Sequence, residues 1–168
     1  LSNALNNHEF VLYYQPKVRV QNGRGTGAEA LVRWKHPTRG LLLPGEFIPV
    51  AEQLGLSRLI DRRVLALSVA LLRRQNDLRL SFNVSGLTAG DHEWLIALDK
   101  LIDGDRGLAS RLIVEITETA AIKDMNESVA FVDTVKEIGC RVAIDDFGAG
   151  YTSFHNLKHL GADMVKID

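Results

Sequence analysis

Asp145 and Asp146 stand side by side at the end of the apolar stretch Arg141 to Asp146, and a glycine-loosened turn follows. Adjacent carboxylates at a strand end repel each other and lose hydration. A divalent cation is the usual relief; an Asx-type turn is the alternative. Other strand-like stretches carry comparable groups. Strand side chains alternate between two faces. On that parity Glu29 shares a face with Arg33, Ser81 with Asn83, Glu115 with Ile113 and Thr117, Asp145 with Ala143, and Lys166 with Asp168. The opposite faces are apolar: Leu80, Phe82 and Val84; Leu112, Val114 and Ile116; Val142 and Ile144; Val165 and Ile167.

If the polar faces converge, Glu29, Asn83, Glu115, Asp145 and Asp146 form a hard, oxygen-rich site. Such a site suits Mg²⁺ or Mn²⁺ better than Zn²⁺. Arg33 is suited to a bidentate grip on phosphate, and Lys166 can neutralise a nucleophilic water or developing charge. Acids for metals beside cations for an anion point to metal-assisted phosphoryl chemistry. Taken singly, these residues read as surface acids, turn caps or a solvated edge; their joint placement at strand ends carries the argument. Weaker signals lose. Gly148-Ala149-Gly150 lacks the third glycine of a dinucleotide loop, and the acids before it would repel a pyrophosphate. His155 and His159 read as a solvated helix face, and His8, His36 and His92 are scattered. No serine or cysteine sits in a nucleophile motif.

The elements that must position these groups alternate. Strands are expected at Phe10 to Gln15, closed by Pro16, and at Thr26 to Trp34, Leu78 to Val84, Leu112 to Thr117, Arg141 to Asp146 and Asp163 to Asp168. Helices are expected at Pro44 to Leu54, Ser57 to Arg74 with Ser57 as cap, Asp91 to Ile102, Asn126 to before Gly139 with Asn126 as cap, and Thr152 to Leu160. Repeated strand–helix units favour a parallel sheet, either open and doubly wound or closed as a (β/α) barrel. Function collects at the C-terminal strand ends in both. One polar face per strand favours the barrel, because central strands of an open sheet are apolar on both faces.

The chain's 168 residues suit one domain, and 46% hydrophobic with 24% charged residues is ordinary for a globular protein. A net charge of -1 argues against a nucleic-acid polymer as partner but not against one small anionic ligand. The lone cysteine, Cys140, excludes an internal disulfide and reads as a buried thiol. No secretory signal or membrane-spanning run is visible, so a cytoplasmic setting is expected, including the cytoplasmic part of a membrane-anchored parent.

These residues form a familiar series. Glu29-Ala30-Leu31, continuing as Val32-Arg33-Trp34, resembles the signature of EAL domains, bacterial phosphodiesterases of the second messenger cyclic di-GMP. Tyr14-Gln15-Pro16, Phe47-Ile48-Pro49 with Ala51-Glu52, Asn83-Val84-Ser85, Glu115-Ile116-Thr117-Glu118, Asp145-Asp146-Phe147-Gly148 and Lys166-Ile167-Asp168 fit in order. The resemblance spans residues 1–168. It implies a modified TIM barrel whose first strand is antiparallel, two Mg²⁺ or Mn²⁺ ions, and hydrolysis of cyclic di-GMP to linear pGpG. Under it Glu29, Asn83, Glu115 and Asp145 hold the first metal; Asp145 bridges and Asp146 holds the second. Lys166 contacts the attacking water. Gln15, Glu29, Leu31, Arg33 and Asp168 meet the substrate, and Glu118 anchors the loop Phe147 to Ser153, through which a homodimer is expected. The resemblance is compatible with fusion to sensor or GGDEF domains. Ala149 and Thr152 depart mildly from the pattern; Gly86 after Asn83-Val84-Ser85 is less usual, a residue able to loosen that loop. The family's later segment, with a further glutamate and a guanine-contacting glutamine, is absent. The expectation is therefore a barrel incomplete in this chain, with about its first six strands, inactive by itself. The alternatives are a non-catalytic cyclic di-GMP receptor or protein-interaction module, and an unrelated metal-dependent barrel enzyme such as an aldolase, which would leave the motif series unexplained.

Overall fold

The structure is a computed structural model that describes residues 1–148 and 154–167. In chain order its elements are α1 (Ser2–Asn6), β1 (Phe10–Val18), β2 (Gly25–His36), β3 (Gly40–Leu42), α2 (Pro44–Gln53), α3 (Ser57–Arg74), β4 (Leu80–Asn83) and α4 (His92–Ile102). They continue with α5 (Arg106–Ala109), β5 (Leu112–Thr117), α6 (Glu118–Lys123), α7 (Met125–Ile138), β6 (Arg141–Phe147), α8 (Phe154–Leu160) and β7 (Met164–Ile167).

The strands form one sheet in the order β1-β2-β4-β5-β6-β7, with β3 added to β2. β1 pairs antiparallel with β2, and every step from β2 through β7 is parallel. This is the expected barrel wall with a reversed first strand, not closed in this chain. The wall is curved. β7 and β2 are four strand spacings apart along the sheet, or ~19 Å if it were flat. Yet Lys166 Nζ of β7 lies 3.2 Å from Glu29 Oε2 of β2.

The core lies outside this wall. Leu80, Phe82, Leu112, Val114, Ile116, Val142 and Ile144 are buried on the helix-facing side, against Val64, Leu65, Leu98, Val132 and Val135. Trp94 of α4 packs between Phe82 and Phe131 at ring-centroid distances of 6.3 and 5.7 Å. With helices taking every apolar strand face, the polar faces are left to line the inside. No helix among the described residues is long and apolar enough to cross a membrane.

Several local expectations need correction. β1 does not stop at Pro16 but runs to Val18. It is an edge strand in this sheet, where a missing N–H costs no ladder bond on the open side. Ser57 does not cap α3; the cap position is Leu56, and the buried Ser57 Oγ has no hydrogen-bond partner among the described residues. Asp124, not Asn126, caps α7, accepting from Glu127 N at 3.0 Å. The short elements α1, β3, α5 and α6 were not expected. Asp168, the Thr152 start of the last helix and residues 149–153 of the loop lie outside the described residues.

Candidate active site

The inward parity of β2, β4, β5, β6 and β7 brings Glu29, Asn83, Glu115, Asp145 and Lys166 together. Strand stagger matters here: Asn83 is level with Glu115, but Asp145 is level with Thr117. The carboxylates therefore approach from different heights. Lys166 Nζ donates to Glu115 Oε2 at 2.7 Å, Asp145 Oδ2 at 2.9 Å and Glu29 Oε2 at 3.2 Å. Asn83 Nδ2 donates to Glu29 Oε1 at 3.0 Å.

A second ammonium enters from β1. Lys17 Nζ donates to Ser81 Oγ at 2.6 Å and Glu115 Oε1 at 2.8 Å, and lies 3.6 Å from Glu29 Oε2. Sequence reasoning missed Lys17 by ending the strand at Pro16. The signal was available: Lys17 is two residues beyond Gln15 and so shares its face. Ser81 lies on the polar face that its parity with Asn83 predicts, and its role is to accept from Lys17.

Electrostatics follow from this packing. Burial pushes the Glu115 carboxyl up, but hydrogen bonds from Lys166, Lys17 and Ser81 outweigh it and hold the group below its ordinary value. Desolvation pulls Lys166 down, and its bonds to Glu115 and Asp145 more than reverse this, leaving it raised.

The other expected residues surround this cluster. Asp145, Asp146, Asn83 and Leu31 line a cleft of about 520 Å³. Asp146 is exposed, at φ 56°, with its N–H on Asp145 Oδ1 at 3.0 Å. Gln15 is exposed and level with Glu29. Arg33 does not join the cluster: its guanidinium lies 5.8 Å from the Tyr13 ring centroid, with Nη1 on the Val32 carbonyl at 2.9 Å. Glu118 is also apart, buried at the start of α6, where Oε2 accepts from Gly148 N at 2.8 Å. His155 and His159 are exposed.

The cleft has a further unexpected wall residue. Asp61 of α3 is buried, and its Oδ2 accepts from Ser85 N (2.8 Å), Ser85 Oγ (2.7 Å) and Thr88 Oγ1 (2.6 Å). It thereby ties down the loop that leaves β4 just after Asn83.

Glu29, Glu115 and Asp145 each offer an oxygen within 4.8 Å of the others. Three carboxylates with a neighbouring amide are a donor set that fits a hard divalent cation such as Mg²⁺ or Mn²⁺. Lys166 sits on the same carboxylates, so it and a cation compete for them.

Fold and site together define a (β/α)-barrel domain with an acidic, cation-competent centre at its strand ends. The comparisons refine this class. The EAL domain family model matches residues 1–168, and the chain belongs to that family. It is 37% identical over 184 residues to the bifunctional diguanylate cyclase/cyclic di-GMP phosphodiesterase MucR of Pseudomonas aeruginosa, covering 100% of this chain and 25% of that protein. The chain thus spans about a quarter of that relative's length. Its fold matches the structure of the PaMucR phosphodiesterase in complex with c-di-GMP, at a TM-score of 0.88, 36% identity, and coverage of 99% of this chain and 70% of that one. It also matches the FimX EAL domain from Pseudomonas aeruginosa bound to c-di-GMP, at a TM-score of 0.91, 28% identity, and coverage of 99% and 69%.

Proposed function

We propose that this chain forms most of the site of a phosphodiesterase that hydrolyses cyclic di-GMP to linear pGpG with Mg²⁺ or Mn²⁺. The observation that carries the reading is the meeting of Glu29, Glu115 and Asp145 around one lysine, with Asn83 alongside. Membership of the EAL family and the name of the MucR relative support it.

In this reading Glu29, Asn83, Glu115 and Asp145 hold one cation, and Asp145 with Asp146 holds a second. Bound cations supply Lewis acidity to the phosphate and acidity to water. The chain's own residues do the rest. Lys166, released from part of its carboxylate contacts, offers its N–H groups to the attacking water. Water adds across one phosphodiester P–O bond and opens the ring. Arg33 swings from Tyr13 toward the phosphate, while Gln15, Leu31 and Asp168 border the base and sugar. Glu118 holds the turn after Asp146 through Gly148 N, which sets the direction of the Asp146 carboxylate. A homodimer through the loop after Asp146 and fusion to sensor or GGDEF domains belong to the same reading, as does a cytoplasmic location.

The test is Mn²⁺-dependent hydrolysis of cyclic di-GMP by the full-length protein, beside Asp145→Asn. The expected result is pGpG formation, with a loss on the order of a hundredfold or more in the variant. Tight binding without product moves the chain to the receptor reading; neither binding nor product ends both.

A further inference from the structure

Lys17 reaches the acidic cluster from the one strand that runs against the others. Its ammonium divides among Ser81 Oγ at 2.6 Å, Glu115 Oε1 at 2.8 Å and Glu29 Oε2 at 3.6 Å. Lys166 instead takes Glu115 Oε2, Glu29 Oε2 and Asp145 Oδ2. The two oxygens of Glu115, whose side chain is 1% exposed, are thus shared between two lysines. A cation held by Glu29, Glu115 and Asp145 would compete with Lys166 for the same carboxylates, whereas Lys17 bonds the other oxygen of Glu115, Oε1.

The charge count favours a distinct role for each lysine. Three carboxylates within 4.8 Å of one another are opposed by two ammonium groups. Unscreened, the carboxylates would repel strongly in this partly desolvated setting. We propose that Lys17 is a permanent counter-cation of the cluster: its charge stabilises the assembled carboxylates in the metal-free protein and weakens cation binding by like-charge repulsion. The inference rests on the cation-binding reading above.

The sign is diagnostic. A residue that served only to pack or orient ligands would weaken cation binding when removed. A counter-cation, when removed, destabilises the metal-free protein and tightens the metal. The test is thermal unfolding of the full-length protein at low ionic strength, in chelator and in Mn²⁺. Lys17→Met is expected to lower the metal-free midpoint by about 5 °C. Mn²⁺ should then raise it by more than it raises the wild type, with affinity tighter on the order of tenfold. Lys17→Arg, which keeps the charge, should behave as wild type. A Mn²⁺ shift in Lys17→Met equal to or smaller than the wild type's overturns the proposal. If Lys17→Met does not fold, the double variant with Glu115→Gln decides: recovered folding supports charge balance, and continued failure overturns it. A wild type with no Mn²⁺ shift sinks the cation reading instead. The claim on metal affinity falls with it, and the counter-charge role of Lys17 in the metal-free protein is decided by comparing the single and double variants without metal.

Discussion

Asp61→Ala tests how the loop after Asn83 is held. Asp61 is 6% exposed, and one of its oxygens accepts three hydrogen bonds, from Ser85 N, Ser85 Oγ and Thr88 Oγ1. Truncation strands these donors. Ser85 Oγ and Thr88 Oγ1 lie 3.2 Å apart and can bond each other, so roughly two donors lose their partner. Each buried unsatisfied donor costs about 1–3 kcal/mol, against which the removed carboxylate no longer bears its own desolvation; a net loss of about 2–4 kcal/mol follows. For a domain of this size that is a fall of about 5–15 °C in Tm. Asp61→Asn keeps one acceptor and should lose about 1 kcal/mol. Urea unfolding of the full-length protein measures both, with the slope checked for constancy. The pH dependence gives a second readout. Burial raises the Asp61 carboxyl above its ordinary value, although Thr88 and Ser85 oppose the shift. The folded state then binds the proton more tightly than the unfolded state. Wild-type stability from this group therefore falls as pH rises from the ordinary aspartate value through the raised one, and is level above it. Asp61→Asn lacks that slope, so the difference moves in its favour across the interval. An Asp61→Ala loss under about 0.5 kcal/mol, within the range of ordinary surface substitutions, would refute the reasoning.

Gly139 ends α7 at φ 106°, and an added Cβ would meet Arg106 Cδ at 3.1 Å and Ala109 Cβ at 3.2 Å. Gly139→Ala should cost about 1–2 kcal/mol, read as a lower Tm by calorimetry. Burial pushes the Cys140 thiol up to about 12. It should resist a thiol reagent at neutral pH in the native protein and react at once in denaturant; fast native labelling would contradict its burial.

Much of the site was legible because strand parity is local. A side chain's face depends only on its place in an extended segment, so Glu29, Asn83, Glu115, Asp145 and Lys166 could be aimed inward without knowing any strand's neighbour. The expected bounds of β5, Leu112 to Thr117, match the structure because a compact run rich in β-branched residues lies between the polar pairs Ser110-Arg111 and Glu118-Thr119. What failed were boundaries with competing local signals. Proline normally ends a strand, and Pro16 hid Lys17. Ser57 looks like a cap but is already inside its helix, after Leu56. The three-residue β3 has too few residues to show a period, and depends on the neighbouring edge of β2.

Alternation of apolar and polar residues, the order of strand–helix units and the motif series from Gln15 to Lys166 determined the class of fold, the inward set of acids and the family. Distances between strands are not contained in any one of them. The stagger that sets Asp145 level with Thr117, and the curvature that carries Lys166 to Glu29, arise when all the helices cover one face of the sheet at once. Only the tertiary structure could therefore decide that Lys17 and Lys166 divide one buried glutamate between them, that Arg33 stands apart against Tyr13, and that Asp61 braces the loop beyond Asn83.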